Sequence, residues 1–158
     1  HDLMQCVCQT LKLFIHCFGA ENVAIVTNAK LEWFRESCRL YKFLYLPVQC
    51  LVDTYQIRVV SAHDTCSRQK SIAFRAILSE KTHIRRVICI GDSNEEYDAV
   101  DTVCQVLRIL SRRSISYYRF KLVQHPSVTA MGKQLKYIQK RDLADIAKRR
   151  ADESFHFK

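Results

Sequence analysis

The spacing of hydrophobic positions changes repeatedly along this chain. Over residues 3–18, apolar side chains recur every three or four positions and Gly19 follows, which predicts an amphipathic helix that ends there. Short runs rich in β-branched and aromatic residues predict strands. These runs are residues 23–29, 56–62, 87–90 and 117–123.

Helical spacing returns between the predicted strands. A helix over 31–45 would bury Trp33 and would end before Pro47. Further helices are predicted from Lys70, with Ser67 as the cap, over 99–110, with Leu110 on its apolar side, and after Pro126, with Leu143 and Ile146 in an extension or a second helix. Because strands alternate with helices, the order predicts an α/β fold whose mostly parallel sheet is covered on both faces.

The third predicted strand runs directly into Gly91 and Asp92. In open α/β sheets ligands bind at the carboxyl ends of strands, so Asp92 stands where a functional carboxylate is expected. A structural alternative is an ordinary helix start, because Ser93 or Asn94 is a suitable N-cap and the acidic residues at 95 and 96 suit the first turn. The two interpretations stay open on this stretch alone.

Three residues at the ends of successive units together indicate a family. Thr27 follows the first strand, Lys70 opens a helix, and Asp92 follows the third strand. In this order and spacing, the segments Val23–Asn28, Lys70 and Gly91–Asp98 resemble three motifs of the haloacid dehalogenase-like (HAD) superfamily of phosphohydrolases, across residues 20–125. The resemblance implies a Rossmann-like three-layer fold.

The resemblance also implies a role for each residue in phosphoryl transfer. Thr27 would donate to phosphoryl oxygens, and Lys70 would offset phosphate charge. Asp92 would bind Mg²⁺, with Glu96 at the position where many members place a second acidic residue, usually Asp. Taken singly, Lys70 is equally a solvated helix lysine and Thr27 a strand-end hydroxyl.

The sequence departs from the family at the nucleophile. Family enzymes begin with a strand that ends in Asp-x-Asp, whereas this sequence contains no Asp-x-Asp. The nearest imitation, Cys50–Tyr55 around Asp53, follows the second motif instead of preceding it. The first central strand of the family sheet is therefore missing, and its neighbours would be 23–27 and 87–90. It lies upstream of His1, or another chain supplies it, or the sheet is rearranged.

Composition limits the remaining classes. The chain has 158 residues, of which 48% are hydrophobic, and it has no uninterrupted apolar run of about 18 residues, so no membrane partner is expected. Its eight cysteines show no zinc-ligand spacing, which predicts reduced thiols and an intracellular, reducing compartment. We expect a HAD-like core over 1–125, incomplete at its N-terminus, and a basic helical extension over 126–158.

The net charge of +9 lies entirely in the last third of the chain. Residues 1–105 carry 12 Lys/Arg and 12 Asp/Glu, whereas residues 106–158 carry 13 and 4, a net +9. Aromatic residues such as Tyr137 are interleaved with these cations, which suits RNA or an acidic protein partner; a solvated basic tail is the alternative. The binding candidates are Arg112, Arg113, Arg119, Lys133, Lys136, Lys140, Arg141, Lys148, Arg149 and Arg150.

Two functional hypotheses follow. The first is a noncatalytic structural or interaction subunit of a larger assembly that contains RNA, and the missing nucleophile and the basic end favour it. The alternative is a Mg²⁺-dependent HAD-type phosphohydrolase whose nucleophile motif lies upstream of His1, and Thr27, Lys70 and Asp92 favour it.

Overall fold

The computed structural model of the chain describes residues 2–40, 42–66, 69–141, 143–148 and 153–157. Seven α-helices, the short 3-10 helix Ala20–Asn22 and five strands lie within these ranges. The helices are α1 (Asp2–Phe18), α2 (Leu31–Leu40), α3 (Lys42–Thr54), α4 (Lys70–Glu80), α5 (Asn94–Ser111), α6 (Val128–Gln139) and α7 (Leu143–Lys148). The strands are β1 (Ala24–Thr27), β2 (Arg58–Ser61), β3 (Arg86–Gly91), β4 (Ser116–Lys121) and β5 (Glu153–His156).

The elements form two compact units, and each has its own parallel sheet. The first unit comprises residues 1–68 and 126–141, and the second comprises 69–125 and 142–158. In the first, β1 pairs with β2, and in the second the strand order is β3-β4-β5. The predicted α/β class and the parallel strand pairing are therefore confirmed, while the three-layer HAD-like arrangement stays a prediction.

Burial of apolar residues explains the first unit. Val48, Val52 and Ile57 form a buried cluster against the apolar side of α1, which includes Val7 and Leu11. On the other side of the unit, α6 packs on α1, and the Gln139 side-chain amide donates to the Cys6 carbonyl oxygen at 2.9 Å and to Thr10 Oγ at 2.8 Å. Residues far apart in sequence thus fix the orientation of α6.

The second unit has the more completely buried core. One face of its sheet packs against α4 and α5, where Val100 and Cys104 are inaccessible to solvent and Cys89, Val103 and Leu107 are also buried. On the opposite face of β4, Phe120 is fully buried beside Tyr118, whose ring centroid lies 4.9 Å away. Burial of a large aromatic side chain contributes about 2–3 kcal/mol, so β4 is a central strand energetically as well as topologically.

Several sequence-based boundaries were correct. Helix α1 ends at Phe18, directly before Gly19, whose positive φ of 81° favours glycine. Helix α4 begins at Lys70, although its N-cap position is Gln69, and the predicted cap Ser67 lies outside the described residues. Leu143 and Ile146 are buried in a separate helix, α7.

Other expectations were wrong. Pro47 does not end a helix, because it lies inside α3, where burial of Val48, Leu51 and Val52 outweighs the lost backbone hydrogen bond. Trp33 is 64% exposed instead of buried. Helix α5 begins five residues before the predicted start at Ala99, at Asn94, and its Leu110 is 70% exposed.

The last third of the chain is divided between the two units. Helix α6 belongs to the first unit, whereas α7 and β5 belong to the second, where β5 pairs with β4. The compact units therefore differ from the predicted boundary at residue 125, and the predicted helical extension contains a strand. The hydrophobic pattern did not predict β5, because Glu153–His156 has no apolar run.

No described helix combines the length and the apolar character that crossing a membrane requires.

Candidate functional site

Asp92 lies directly after the carboxyl end of β3 and two residues before the start of α5. Its side chain is half-buried, and no described residue donates a hydrogen bond to its carboxylate. The Asp92 backbone oxygen accepts a hydrogen bond of 2.7 Å from the Lys121 ammonium at the end of β4. Asp92 thus occupies the strand-end position that the sequence predicted.

Lys70 and Glu96 form a buried ion pair beside Asp92. Lys70 is the first residue of α4, Glu96 lies in the first turn of α5, and their side chains are 8% and 12% exposed. The Lys70 ammonium donates to one carboxylate oxygen of Glu96 and lies 3.7 Å from the Glu95 carboxylate. A lysine in the first turn opposes the helix dipole, so this partner is needed to hold its charge there.

The second oxygen of Glu96 is also occupied. It accepts a 2.8 Å hydrogen bond from the Ser93 backbone N–H and another from the Ser93 hydroxyl. This is the reach of a capping-box glutamate, and it confirms Ser93 as the N-cap. Glu96 therefore both caps α5 and neutralises Lys70, and both of its oxygens have protein donors.

Gly91 makes room for this arrangement. A Cβ atom at Gly91 would lie 2.9 Å from a Glu96 carboxylate oxygen and 3.0 Å from Glu96 Cγ, closer than van der Waals contact. Glycine is thus required by the close approach of the Glu96 side chain to the strand end, not by an unusual backbone angle.

Tyr97 and Lys121 complete this end of the sheet, and the sequence did not identify either. The Tyr97 hydroxyl lies 2.6 Å from the Gly91 carbonyl oxygen and 2.7 Å from that of Phe120, so it ties the ends of β3 and β4 together. Burial raises the pKa of Tyr97 above its ordinary value, which keeps the hydroxyl protonated. Its helical spacing with Val100 and Cys104 could have identified Tyr97 as a buried residue of α5. The acidic residues at 95 and 96 obscured that spacing.

Cys89 lies beneath the site as an inert thiol. Burial raises its pKa to about 12, against the opposing effect of the positive charge of Arg119. A thiol with so high a pKa is not a nucleophile at neutral pH, because the thiolate is the reactive form. Cys89 is a packing residue, as its place in an apolar run predicted.

Thr27 belongs to the first unit, whereas Lys70, Asp92 and Glu96 belong to the second. The Thr27 hydroxyl oxygen accepts a 3.1 Å hydrogen bond from the Ala29 N–H, as in a strand-end turn.

Asp64 lies after the neighbouring strand β2, and its carboxylate accepts a 3.2 Å hydrogen bond from the Leu31 N–H at the start of α2. That hydrogen bond holds the pKa of Asp64 below its usual value.

The described residues do not by themselves assemble a metal centre. Among them, no three His, Cys, Asp or Glu side chains are grouped so that they would hold one ion. Glu96 is engaged by Lys70 and Ser93, which leaves Asp92 as the predicted ligand without a described donor. One carboxylate does not fit Mg²⁺ unless substrate or further ligands complete the octahedron, so Mg²⁺ binding stays a prediction.

The predicted basic candidates have different environments. Arg113 is buried, and its guanidinium donates to the carbonyl oxygens of Leu78, Lys81 and Ile84 at 3.0, 2.6 and 3.1 Å. Arg113 thus stabilises the C-terminal end of α4 instead of belonging to an exposed surface. Arg112, next to it, is exposed.

Arg119 is also integrated into the second unit. Its guanidinium carbon lies 5.0 Å from the ring centroid of Tyr117 and 5.6 Å from that of Tyr97. Cation–π contacts of this kind hold the side chain against the aromatic rings.

The remaining basic candidates lie in α6, in α7 or outside the described residues. Lys133, Lys136 and Lys140 are exposed on or directly after α6, and the exposed Arg141 follows them. Lys148 is the last residue of α7, and its side chain is not described. Arg149 and Arg150 lie outside the described residues.

No protein-family model, no curated protein and no solved structure matches this chain. Membership of the HAD superfamily thus stays a prediction from the motifs.

Proposed function

We propose that the chain is a noncatalytic, HAD-like interaction subunit of a larger assembly that contains RNA. One observation carries the noncatalytic half of this proposal: Lys70 and Glu96, the residues expected at phosphate and metal, neutralise each other in a buried pair. Separating such a pair leaves an uncompensated charge, at a cost of about 3–5 kcal/mol. The ground state of the site thus favours a structural role for both residues.

The noncatalytic role is tested by Mg²⁺-dependent hydrolysis of an aryl phosphate. We expect no hydrolysis above the buffer rate for the chain or for its Asp92→Ala variant. Asp98→Ala is the matched control, because Asp98 is an exposed carboxylate nearby in the sequence, in the second turn of α5. Hydrolysis that Asp92→Ala abolishes and Asp98→Ala preserves would contradict the proposal.

The alternative function is a Mg²⁺-dependent HAD-type phosphohydrolase, and Asp92 favours it. Its carboxylate has no described donor, and it stands at the carboxyl end of a parallel strand, where α/β enzymes place ligand-binding residues. The nucleophile would come from a segment outside residues 1–158. The same assay on a longer protein that contains an Asp-x-Asp strand tests this alternative. Activity there that does not respond to Asp92→Ala would remove Asp92 from the site.

The assembly half of the proposal includes a strand added beside β3. Among the described strands, β3 pairs only with β4. β3 is also an apolar strand, Val87–Ile90, with no proline in it and an uninterrupted register from Arg86 to Gly91. Edge strands are usually protected from pairing with another strand by proline or by bulges that interrupt the register. β3 has neither, which supports an additional strand from outside the described residues.

A further inference from the structure

Helix α6 and the residue that caps its C-terminus present a row of lysines on one face, which we term the α6 lysine face: Lys133, Lys136 and Lys140. Spacings of three and four residues place these side chains one above another along the helix. At 1.5 Å per residue the row is about 10 Å long. All three side chains are exposed.

The charge of this face is not compensated within the described structure. The segment 126–141 contains four Lys/Arg and no Asp or Glu. None of the three lysines forms an ion pair with a described carboxylate. A surface of one sign attracts a polyanion, because counterions released from that polyanion favour binding.

The opposite side of α6 fixes this face in place. Gln134, Leu135 and Ile138 are buried, and Ile138 is inaccessible to solvent. Ser127 caps the helix by accepting a 3.1 Å hydrogen bond from the Ala130 N–H, and Gln139 bonds to α1. The lysines therefore project from a helix that is held at both ends.

An aromatic residue and an arginine continue the face at its C-terminal end. Tyr137 is half-buried between the lysine positions, and the Arg141 guanidinium carbon lies 5.3 Å from its ring centroid. Arginine–tyrosine pairs of this kind offer planar groups on which an unstacked base can lie.

The composition of the face favours a nucleic acid over a protein partner. Lysine is depleted in the cores of protein–protein interfaces, which depend on buried apolar and aromatic anchors. The α6 lysine face consists of lysines alone, and Tyr137 beside it is half-buried. Phosphate groups, by contrast, are bound by exposed lysines with no need for an apolar core.

We propose that the α6 lysine face binds the phosphate backbone of single-stranded RNA. The inference rests on the proposed function and names the surface that carries it. It leaves out Arg113 and Arg119, whose guanidinium groups are engaged inside the second unit.

The test is filter binding of a fluorescent oligouridylate to the full chain from 50 to 200 mM salt. The variant is K133Q/K136Q/K140Q. The matched control, K30Q/R75Q/R86Q, removes the same charge from exposed positions outside α6. Each ammonium–phosphate contact contributes about 0.7 to the salt slope, so losing three lowers it by about 2. Over this fourfold salt range, wild-type affinity should fall about 15–20-fold more than that of the α6 variant.

The outcomes separate this proposal from the proposed function. If wild type binds RNA and the α6 variant keeps the full salt slope, the α6 proposal is overturned while RNA binding stands. If wild type does not bind RNA, the proposed RNA-containing assembly fails as well. Binding of polyglutamate or of anionic lipid vesicles that depends on the three lysines, with RNA binding unchanged by K133Q/K136Q/K140Q, would also overturn the α6 proposal. Equal melting temperatures of the three proteins show that the substitutions leave the fold intact.

Discussion

At the residue scale, Gly91 and Gly132 differ in whether a side chain at that position would have room. A Cβ at Gly91 would press on the Glu96 carboxylate at 2.9 Å, whereas a Cβ at Gly132 would meet no atom within 4 Å. We expect Gly91→Ala to destabilise the protein by about 1–3 kcal/mol through overpacking. Gly132→Ala should stabilise it by about 0.5–1 kcal/mol, because alanine loses less backbone entropy in a helix.

Urea unfolding of both glycine variants measures these free energies. The sign of the difference is the decisive result, since both substitutions add the same methyl group. If Gly91→Ala left the free energy of unfolding unchanged, Glu96 would not be held as close to β3 as described. The ion pair of Glu96 with Lys70 would then also be in question.

The Lys70–Glu96 pair makes a second prediction at this scale. Lys70→Met should destabilise the protein by about 3–5 kcal/mol, because Glu96 would stay buried without its cation. The double variant Lys70→Met/Glu96→Gln should recover part of that loss, since no uncompensated charge is left. A double-mutant cycle on urea unfolding gives the coupling energy, and additive effects of the two substitutions would rule out a structural ion pair.

At the element scale, Arg113 stabilises the C-terminal end of α4. Helices leave their last carbonyl groups without partners, and the Arg113 guanidinium donates to three carbonyl oxygens in this region. We expect Arg113→Met to cost at least about 2 kcal/mol, because buried acceptors would lose their donor.

Arg112→Met is the control for this effect. Arg112 is adjacent and exposed, and its removal should change stability by less than about 0.5 kcal/mol. Thermal melting at fixed protein concentration compares the two variants. If the two variants lost the same stability, the hydrogen bonds of Arg113 would not be what stabilises the end of α4.

The hydrophobic pattern predicted those elements whose local signals agree with their packing. Helix α1 has regular apolar spacing and a glycine stop, and β3 has an uninterrupted apolar run. The pattern gave wrong predictions at Pro47 and Trp33. Burial of the α3 side chains outweighed the tendency of Pro47 to end a helix, and Trp33 faces outward on α2. The strand β5 could not be predicted from the pattern, because Glu153–His156 has no apolar run.

The sequence predicted where the candidate site residues lie along the chain, but not which contacts their side chains make. Lys70 and Asp92 lie at the element ends where the motif order placed them. That Glu96 would accept from Lys70 and Ser93 depends on how α4 and α5 approach each other, and no local pattern contains this distance. Likewise, net charge located the basic third of the chain but could not separate the buried Arg113 from the exposed lysines of α6.

At the scale of the whole molecule, each sheet ends in strands that have no described neighbour on one side. The Arg85 and Gly91 carbonyl oxygens accept from Ser116 and Leu122 at the two ends of the β3–β4 ladder. In a parallel ladder alternate residues face the same neighbour, so Val87 and Cys89 also bond to β4. The N–H and C=O groups of Ile88 and Ile90 consequently point to the other edge.

Amide hydrogen exchange followed by NMR tests whether that edge is open. In the chain alone, the amides of Ile88 and Ile90 should exchange at least about 100-fold faster than those of Val87 and Cys89. Tyr118 and Arg119 are the internal control, because β4 has neighbours on both sides and both amides should be protected. A partner or a longer protein that adds a strand beside β3 should slow Ile88 and Ile90 to the rate of their neighbours. If they are already slow in the chain alone, β3 is not an edge, and the proposed strand addition fails.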